Sequence, residues 1–459
     1  MSGIDFSGKR ALVMGLGVHG GGVGVARFLA QHGAHVTVTD LKSADELASS
    51  LQALAGLDIR YVLGEHREAD FLDSDIVVRN PAVPRENTLL QLAAARGIPV
   101  EMEISLFCRL CPAPITGITG TKGKTTTTLL TGAMLSQKDP RTVVAGNLRV
   151  SALDMLDQID AGTPVVLELS SWQCEGLEPI KFSPHVAAIT NLYPDHLNRY
   201  TDMAAYAAAK ALIFAYQKPG DWLVLNADQK AGRDFAAGAR GKVVWFSRTQ
   251  RIEGVYLLND EIVQQQDGQL TVLAARKDIR LLGDHNVENV LAAAALALIN
   301  GVTPAQISSA LQKFEPVPHR LELVRELNGV RYVNDTTSTA PAATIAALKA
   351  IGENIVLILG GADKGLDFGP LGRSVSVRAR HILMLDGTAY YRLDGMIRFS
   401  GSGRKIEGPF QSLADAVHRA QVLAQPGDTV LLSPACASFG MFKNEFDRGE
   451  QFREIVNGL

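Results

Sequence analysis

The stretch GITGTKGKTTTT, Gly117 to Thr128, decides how the rest of the chain is read. Pro114 to Thr119 predict a short buried strand, and Thr125 to Leu135 predict a helix. Strand, glycine turn and helix in that order point backbone N–H groups at a phosphate chain. In that layout Lys124 reaches the terminal phosphates and Thr125 offers its hydroxyl to Mg²⁺. The first glycine of the motif is Gly117 or Gly120, depending on register, so the stretch is a variant phosphate loop. The other reading, a flexible loop followed by a threonine-rich strand, leaves the lysine and threonine without a task.

Outward from this loop, apolar strands alternate with helical patterns along the whole chain. On the N-terminal side, Arg10 to Met14 predict a strand, GLGVHG (Gly15 to Gly20) a tight turn, and Ala34 to Thr39 a second strand ending on Asp40. G-x-G-x-x-G with an acidic residue further on is a dinucleotide fingerprint. Any strand-to-helix turn over an anion uses the same glycines, so that signal is weak by itself. A strand from Asp75 to Val78 and the turn RNPAVP (Arg79 to Pro84) follow. On the C-terminal side come VVLELS (165–170), VAAITN (186–191), WLVLNAD (222–228) and VVWFS (243–247). Near-continuous apolar strands between helices predict a mainly parallel sheet covered on both faces. The two prolines of EPVPHR (315–320) suit a hinge. Beyond them RYVND (331–335), NIVLILGG (354–361), HILMLDG (381–387) and DTVLLSP (428–434) repeat the theme. The expectation is an α/β chain of three domains. Residues 1–104 would form a Rossmann-like domain, 105–314 a phosphate-loop domain, and 315–459 a second Rossmann-like domain.

The bulk composition agrees with this class. Of 459 residues 46% are hydrophobic and 20% charged, enough to bury sizeable cores without staples. A net charge of −3 supplies no basic excess for coating nucleic acid. Cys108 and Cys111 make a lone C-x-x-C, and with only four cysteines no second pair completes a zinc ribbon. No run reaches the ~18 apolar residues of a membrane span, and MSGIDFSGKR has no secretory core, so a cytoplasmic protein without membrane insertion is expected.

Polar residues at the ends of apolar strands are the candidate tools. Glu168 lies inside VVLELSSWQ, and His196 lies just past a strand in NLYPDHLNRY. With the Thr125 hydroxyl they make a candidate Mg²⁺ site. Lys210, among alanines in YAAAKALIF, reads most simply as an exposed lysine on an amphipathic helix. Beside a metal it makes sense only if it points away or loses its charge.

The motifs GITGTKGKTTTT, LELSSWQ, NLYPDHLNRY with YAAAK, GDHNVENVLAA, PHRLE, YVNDTTST, ILGGADKG and LLSPACASFGMFKN stand in the order and spacing of the Mur ligases. The chain resembles that family over essentially its whole length. MEISLFCR and the C-terminal motif are most similar to the branch that joins D-glutamate to UDP-N-acetylmuramoyl-L-alanine in peptidoglycan synthesis. The resemblance implies an ATP-dependent ligase that works as a monomer on that sugar nucleotide, glutamate and ATP. Two Mg²⁺ ions and a carbamylated Lys210 would assist.

By the same resemblance Gly120, Gly123, Lys124, Thr125 and Thr126 hold ATP, together with Asn286, Asn289, Arg320 and Asp335. Lys124, His196 and Lys210 are the implied catalytic set, and Thr125, Glu168, His196 and Lys210 the metal set. Val18, His19, Asp40 and Asn80 would line a uridine pocket, and Asn147 would touch the sugar nucleotide. Thr339, Lys364 and Ser438 would face glutamate. The family's usual lysine in the NDTTST segment is replaced here by Thr337. A ligase for L-glutamate or another amino acid is the alternative within the class. An NAD-dependent oxidoreductase, resting on GLGVHG and Asp40 alone, is the alternative outside it.

Overall fold

The computed structural model describes residues 4–17, 20–148, 150–196, 199–315, 317–401 and 405–459. Val18 and His19, two of the expected uridine contacts, lie outside them. By internal packing the chain divides into two compact units, 1–278 with 288–313, and 279–287 with 314–459.

The first unit contains two sheets. One is wholly parallel, with β1 (Arg10–Met14), β2 (His35–Asp40), β3 (Ile59–Leu63), β4 (Ile76–Arg79) and β5 (Val100–Glu101) in the order β3-β2-β1-β4-β5. The strand order reverses between β1 and β4, which is where an open parallel sheet leaves a crevice for ligands. GLGVHG leaves the end of β1, and RNPAVP begins on the last residue of β4, with Met14 and Arg79 side by side. The two turns touch: a Cβ on Gly15, whose φ is +87°, would fall 2.8 Å from the Asn80 Cβ.

The second sheet has nine strands. They are β6 (Ile115–Thr119), β7 (Val143–Gly146), β8 (Val165–Glu168), β9 (Val186–Ile189), β10 (Trp222–Asn226), β11 (Lys242–Ser247), β12 (Gly254–Leu258), β13 (Glu261–Gln266) and β14 (Gln269–Ala275). Their order is β14-β13-β12-β11-β10-β9-β6-β8-β7. From β7 across to β12 all neighbours are parallel; β12, β13 and β14 form an antiparallel meander that the sequence reading passes over. The phosphate loop leaves the end of β6, between β8 and β9, at this sheet's own reversal point.

The second unit has one sheet, with β15 (Glu322–Leu327), β16 (Val330–Asn334), β17 (Ile355–Gly360), β18 (Ala379–Leu385), β19 (Lys405–Phe410) and β20 (Thr429–Leu432). Their order is β15-β16-β20-β17-β18-β19. Only β15 runs antiparallel, at one edge. Burial follows the apolar runs: every residue of β6, β8, β9, β17 and β20 is buried. Continuous burial is expected of strands covered on both faces.

Candidate active site

The helix Lys124–Ser136 begins at Gly123, whose φ of +80° is left-handed and whose lack of a side chain leaves the first turn without a side-chain cap. No acidic residue occupies that first turn. Its N–H groups are therefore presented to whatever anion lies beyond the loop. Close packing makes glycine necessary here for a second reason, because a Cβ at Gly123 would run into the carboxamide of Asn289. Asn289 is buried and accepts from the Thr127 hydroxyl at 3.4 Å.

A clamp from the end of β9 shapes the loop. Asn191 Oδ1 accepts from the Lys122 N–H at 2.8 Å, and Asn191 Nδ2 donates to the Lys122 carbonyl at 2.9 Å. The Thr190 hydroxyl donates to the same carbonyl at 2.8 Å. The sequence predicts Thr190 and Asn191 as the last residues of a strand; the structure ends that strand at Ile189 and turns both onto the loop. Their polar side chains directly after an apolar run were the available signal.

Lys124 Nζ donates to the Thr121 carbonyl at 3.0 Å, curled over its own turn, and Thr125 beside it is half-buried. Thr126 is buried in the helix. Lys122 Nζ pairs with Asp195 at 3.2 Å. Glu168, the last residue of β8, is 1% exposed; Oε1 accepts from Asn147 Nδ2 at 3.0 Å, while Oε2 has no hydrogen-bond partner. A buried carboxylate oxygen without a donor is costly unless a cation meets it. Among the described residues no group of three or more His, Cys, Asp or Glu forms a cage. Mg²⁺ needs none, since it keeps waters and phosphate oxygens and takes one or two protein ligands. Glu168 and Thr125 offer oxygens of the kind Mg²⁺ takes, and His196 offers a ring nitrogen.

Lys210 is not the exposed lysine that its alanine-rich helix suggests. It is 1% exposed, donates to the Gly120 carbonyl at 2.7 Å, and lies 4.6 Å above the Tyr206 ring. Burial, with Lys124 adding repulsion, pulls its ammonium down to about 7. The His196 ring lies 5.5 Å from Trp172 and 5.9 Å from Tyr206, and desolvation holds it below the usual histidine range. Lys210, Gly120, Tyr206 and His196 are therefore brought together around the loop.

At the end of the first sheet, Asp40 accepts from the Gly17 N–H at 3.1 Å, and Asn80 Nδ2 donates to the Gly15 carbonyl at 3.3 Å. Both candidate uridine contacts within the described residues thus bind the glycine turn.

In the second unit Asp335 is buried, accepting from the Leu321 N–H at 3.2 Å and the Ser433 hydroxyl at 2.8 Å, and burial pushes its carboxyl up to about 6. Asn286 donates to the Leu282 carbonyl at 2.8 Å, and Arg320 is exposed. Lys364 Nζ donates to the Thr339 hydroxyl at 3.1 Å. A pair of backbone hydrogen bonds between Ala362 and Ala437, 2.9 and 3.1 Å long, sets the Lys364 loop beside Ser438. The three expected glutamate contacts are thus neighbours.

Three sequence families match successive parts of the chain. They are described as Mur ligase MurD-like, N-terminal domain (residues 9–101), Mur ligase middle domain (118–297), and Mur ligase, glutamate ligase domain (319–436). A UDP-N-acetylmuramoylalanine--D-glutamate ligase from Roseiflexus sp. (strain RS-1) is 54% identical, over 99% of this chain and 100% of that protein. One of the same name from Symbiobacterium thermophilum is 38% identical over 100% of both. Among solved structures, a UDP-N-acetylmuramate-alanine ligase MurC from Thermotoga maritima shares the fold with a TM-score of 0.63 at 20% identity, over 98% of this chain and 99% of that one.

Proposed function

This chain belongs to the Mur ligase family, and from that footing we propose that it joins D-glutamate to UDP-N-acetylmuramoyl-L-alanine at the expense of ATP. The observation that carries the reading is the full-length 54% identity to a ligase of that name, on a chain whose phosphate loop is clamped by Thr190 and Asn191 at a helix N-terminus. The work would be done in the cytoplasm, where ATP and the sugar nucleotide are both available.

A carboxylate is a poor electrophile, so the alanyl carboxylate first attacks the γ-phosphorus of ATP. ADP leaves and an acyl phosphate forms. The amine of D-glutamate then attacks the acyl carbon, phosphate departs with the C–O bonding pair, and the amine loses a proton as the amide forms. The N–H groups after Gly123 and the Lys124 ammonium would meet the charge gathered on the phosphates. Thr125, Glu168 and His196 would hold Mg²⁺, which supplies further neutralisation of that charge.

Lys210 has the position and the chemistry for carbamylation. An amine brought down to about 7 is substantially neutral at neutral pH. It can add CO₂, forming an N–C bond and releasing a proton, and so replace a buried cation with an anion. Asn289, Asn286, Arg320 and Asp335 would contact ATP, and Asn147 the sugar nucleotide. Lys364, Thr339 and Ser438 would fix the carboxylates of glutamate, so the position of the amine depends on the configuration at Cα.

The test is phosphate release with ATP, Mg²⁺, UDP-N-acetylmuramoyl-L-alanine and either glutamate enantiomer. Release only with the D form is expected. Faster release with L-glutamate would overturn the stereochemical assignment, and none with either would overturn the reaction.

A further inference from the structure

A buried ion cluster joins the two sheets of the first unit and takes no part in holding phosphate. Arg79 ends β4, Glu175 follows the short helix after β8, and Arg199 lies three residues past His196. Arg79 and Arg199 reach the same carboxylate oxygen, Glu175 Oε2, at 3.6 and 3.3 Å, with side chains 6%, 14% and 8% exposed for Arg79, Arg199 and Glu175. The Tyr200 hydroxyl donates to the other oxygen at 3.0 Å. The Arg79 guanidinium stays charged near neutral pH, since burial brings it down only to about 10.

Arg199 stands where two parts of the site cross. Its Nη1 donates to the Ala82 carbonyl at 3.4 Å, inside the RNPAVP turn that carries Asn80. Its guanidinium lies 5.0 Å from the centre of the Trp172 ring, and that ring lies 5.5 Å from His196. Its backbone N–H donates to the His196 carbonyl at 3.0 Å. One residue therefore touches the turn at the mouth of the first sheet, the aromatic ring that backs His196, and the His196 backbone.

We infer that Arg199 is a positioning residue that sets the register between the Arg79–Pro84 turn and His196. The inference rests on the reaction proposed above, in which one substrate spans both places, its uridine at the first sheet and its alanyl carboxylate at the phosphate loop. An error in register moves that carboxylate relative to the γ-phosphate, and a misplacement of about 1 Å costs on the order of 100-fold in rate. ATP does not span the two places, and the N–H groups after Gly123 would hold its phosphates without Arg199, so its KM changes less than that of the sugar nucleotide.

The fork of the guanidinium carries the argument, because it binds Glu175 and Ala82 together while stacking on Trp172. Lysine keeps the charge without the fork or the stack. Alanine at 199 leaves Glu175 paired with Arg79 and Tyr200, so no buried carboxylate is stranded and the chain is expected to fold.

The experiment compares wild type, Arg199→Ala and Arg199→Lys by steady-state phosphate release, varying each substrate in turn, alongside thermal unfolding. We expect kcat/KM for the sugar nucleotide to fall at least about tenfold in both variants, with the KM for ATP within about twofold. An active wild type whose Arg199→Ala variant keeps its kcat/KM for the sugar nucleotide would overturn the inference alone. So would a variant whose ATP and sugar-nucleotide parameters decline together with its unfolding midpoint. A wild type silent on UDP-N-acetylmuramoyl-L-alanine would overturn the reaction and this inference with it.

Discussion

Replacing Gly123 with alanine tests the geometry of the phosphate loop with a single methyl group. The added Cβ would stand 2.1 Å from Asn289 Oδ1, against the 3.4 Å at which ordinary contact begins, so about 1.3 Å of relief is required. Two movements can supply it. Either the start of the Lys124–Ser136 helix backs away from Asn289, or the buried Asn289 carboxamide swings out and gives up its bond from Thr127. Each moves a group proposed to hold ATP by about the distance that costs on the order of 100-fold in rate. The left-handed φ of +80° adds about 1–2 kcal/mol of backbone cost for any residue with a Cβ. The expected result is a kcat for phosphate release at least about tenfold lower, a raised KM for ATP, and a reduced thermal unfolding midpoint. A Gly123→Ala protein with wild-type kcat, KM for ATP and midpoint would refute the claim that this glycine is held between a left-handed turn and Asn289.

Two further predictions address charge. Lys210→Ala should be nearly inactive, and short carboxylates added to the assay should restore part of the rate by filling the place of the proposed carbamate; a fully active variant would return Lys210 to a packing role. Glu103 Oε1 accepts from the Ser151 hydroxyl at 2.6 Å and the Ala152 N–H at 2.8 Å, yet burial raises its carboxyl from 4.5 to about 7. Between those values the folded chain keeps a proton that the unfolded chain releases, so this group's stabilisation is full below pH 4.5 and is lost as pH rises through 7. Relative to Glu103→Gln, wild type should lose up to about 3 kcal/mol of stability across that window. Urea unfolding of both proteins at pH 5 and pH 7.5 measures it, and parallel pH curves would contradict the raised carboxyl.

The phosphate loop was legible because its requirements are local: a left-handed glycine, a lysine and a threonine on the first helical turn. The alternation of apolar strands likewise revealed the parallel sheets, since burial on both faces leaves a continuous run. The burial of Lys210 was not legible in its own helix. An alanine-rich helix predicts an exposed lysine, and its burial comes from a carbonyl ninety residues earlier in the chain. The β12–β13–β14 meander carries a local signal in its turns. Asn259 and Asp260 both have positive φ, as do Asp267 and Gly268, and these pairs are the two-residue turns that favour hairpins. Short polar strands such as EIVQQQ hid them. The grouping of Arg79, Glu175 and Arg199 could not be read at all, because it depends on how two sheets face one another.

The clamp on the phosphate loop also has a history in time. Lys122 and its partner Asn191 are 69 residues apart, and Thr127 and its partner Asn289 are 162 apart. A ribosome adding ~5–20 residues per second delivers the first partner about 3–14 s after the loop and the second about 8–32 s after it. During that interval the glycine turn exists as sequence without the side chains that shape it. The loop therefore takes its final shape only once side chains made well after it have emerged. A chain stalled before Asn191 carries the whole motif without the carboxamide that clamps Lys122.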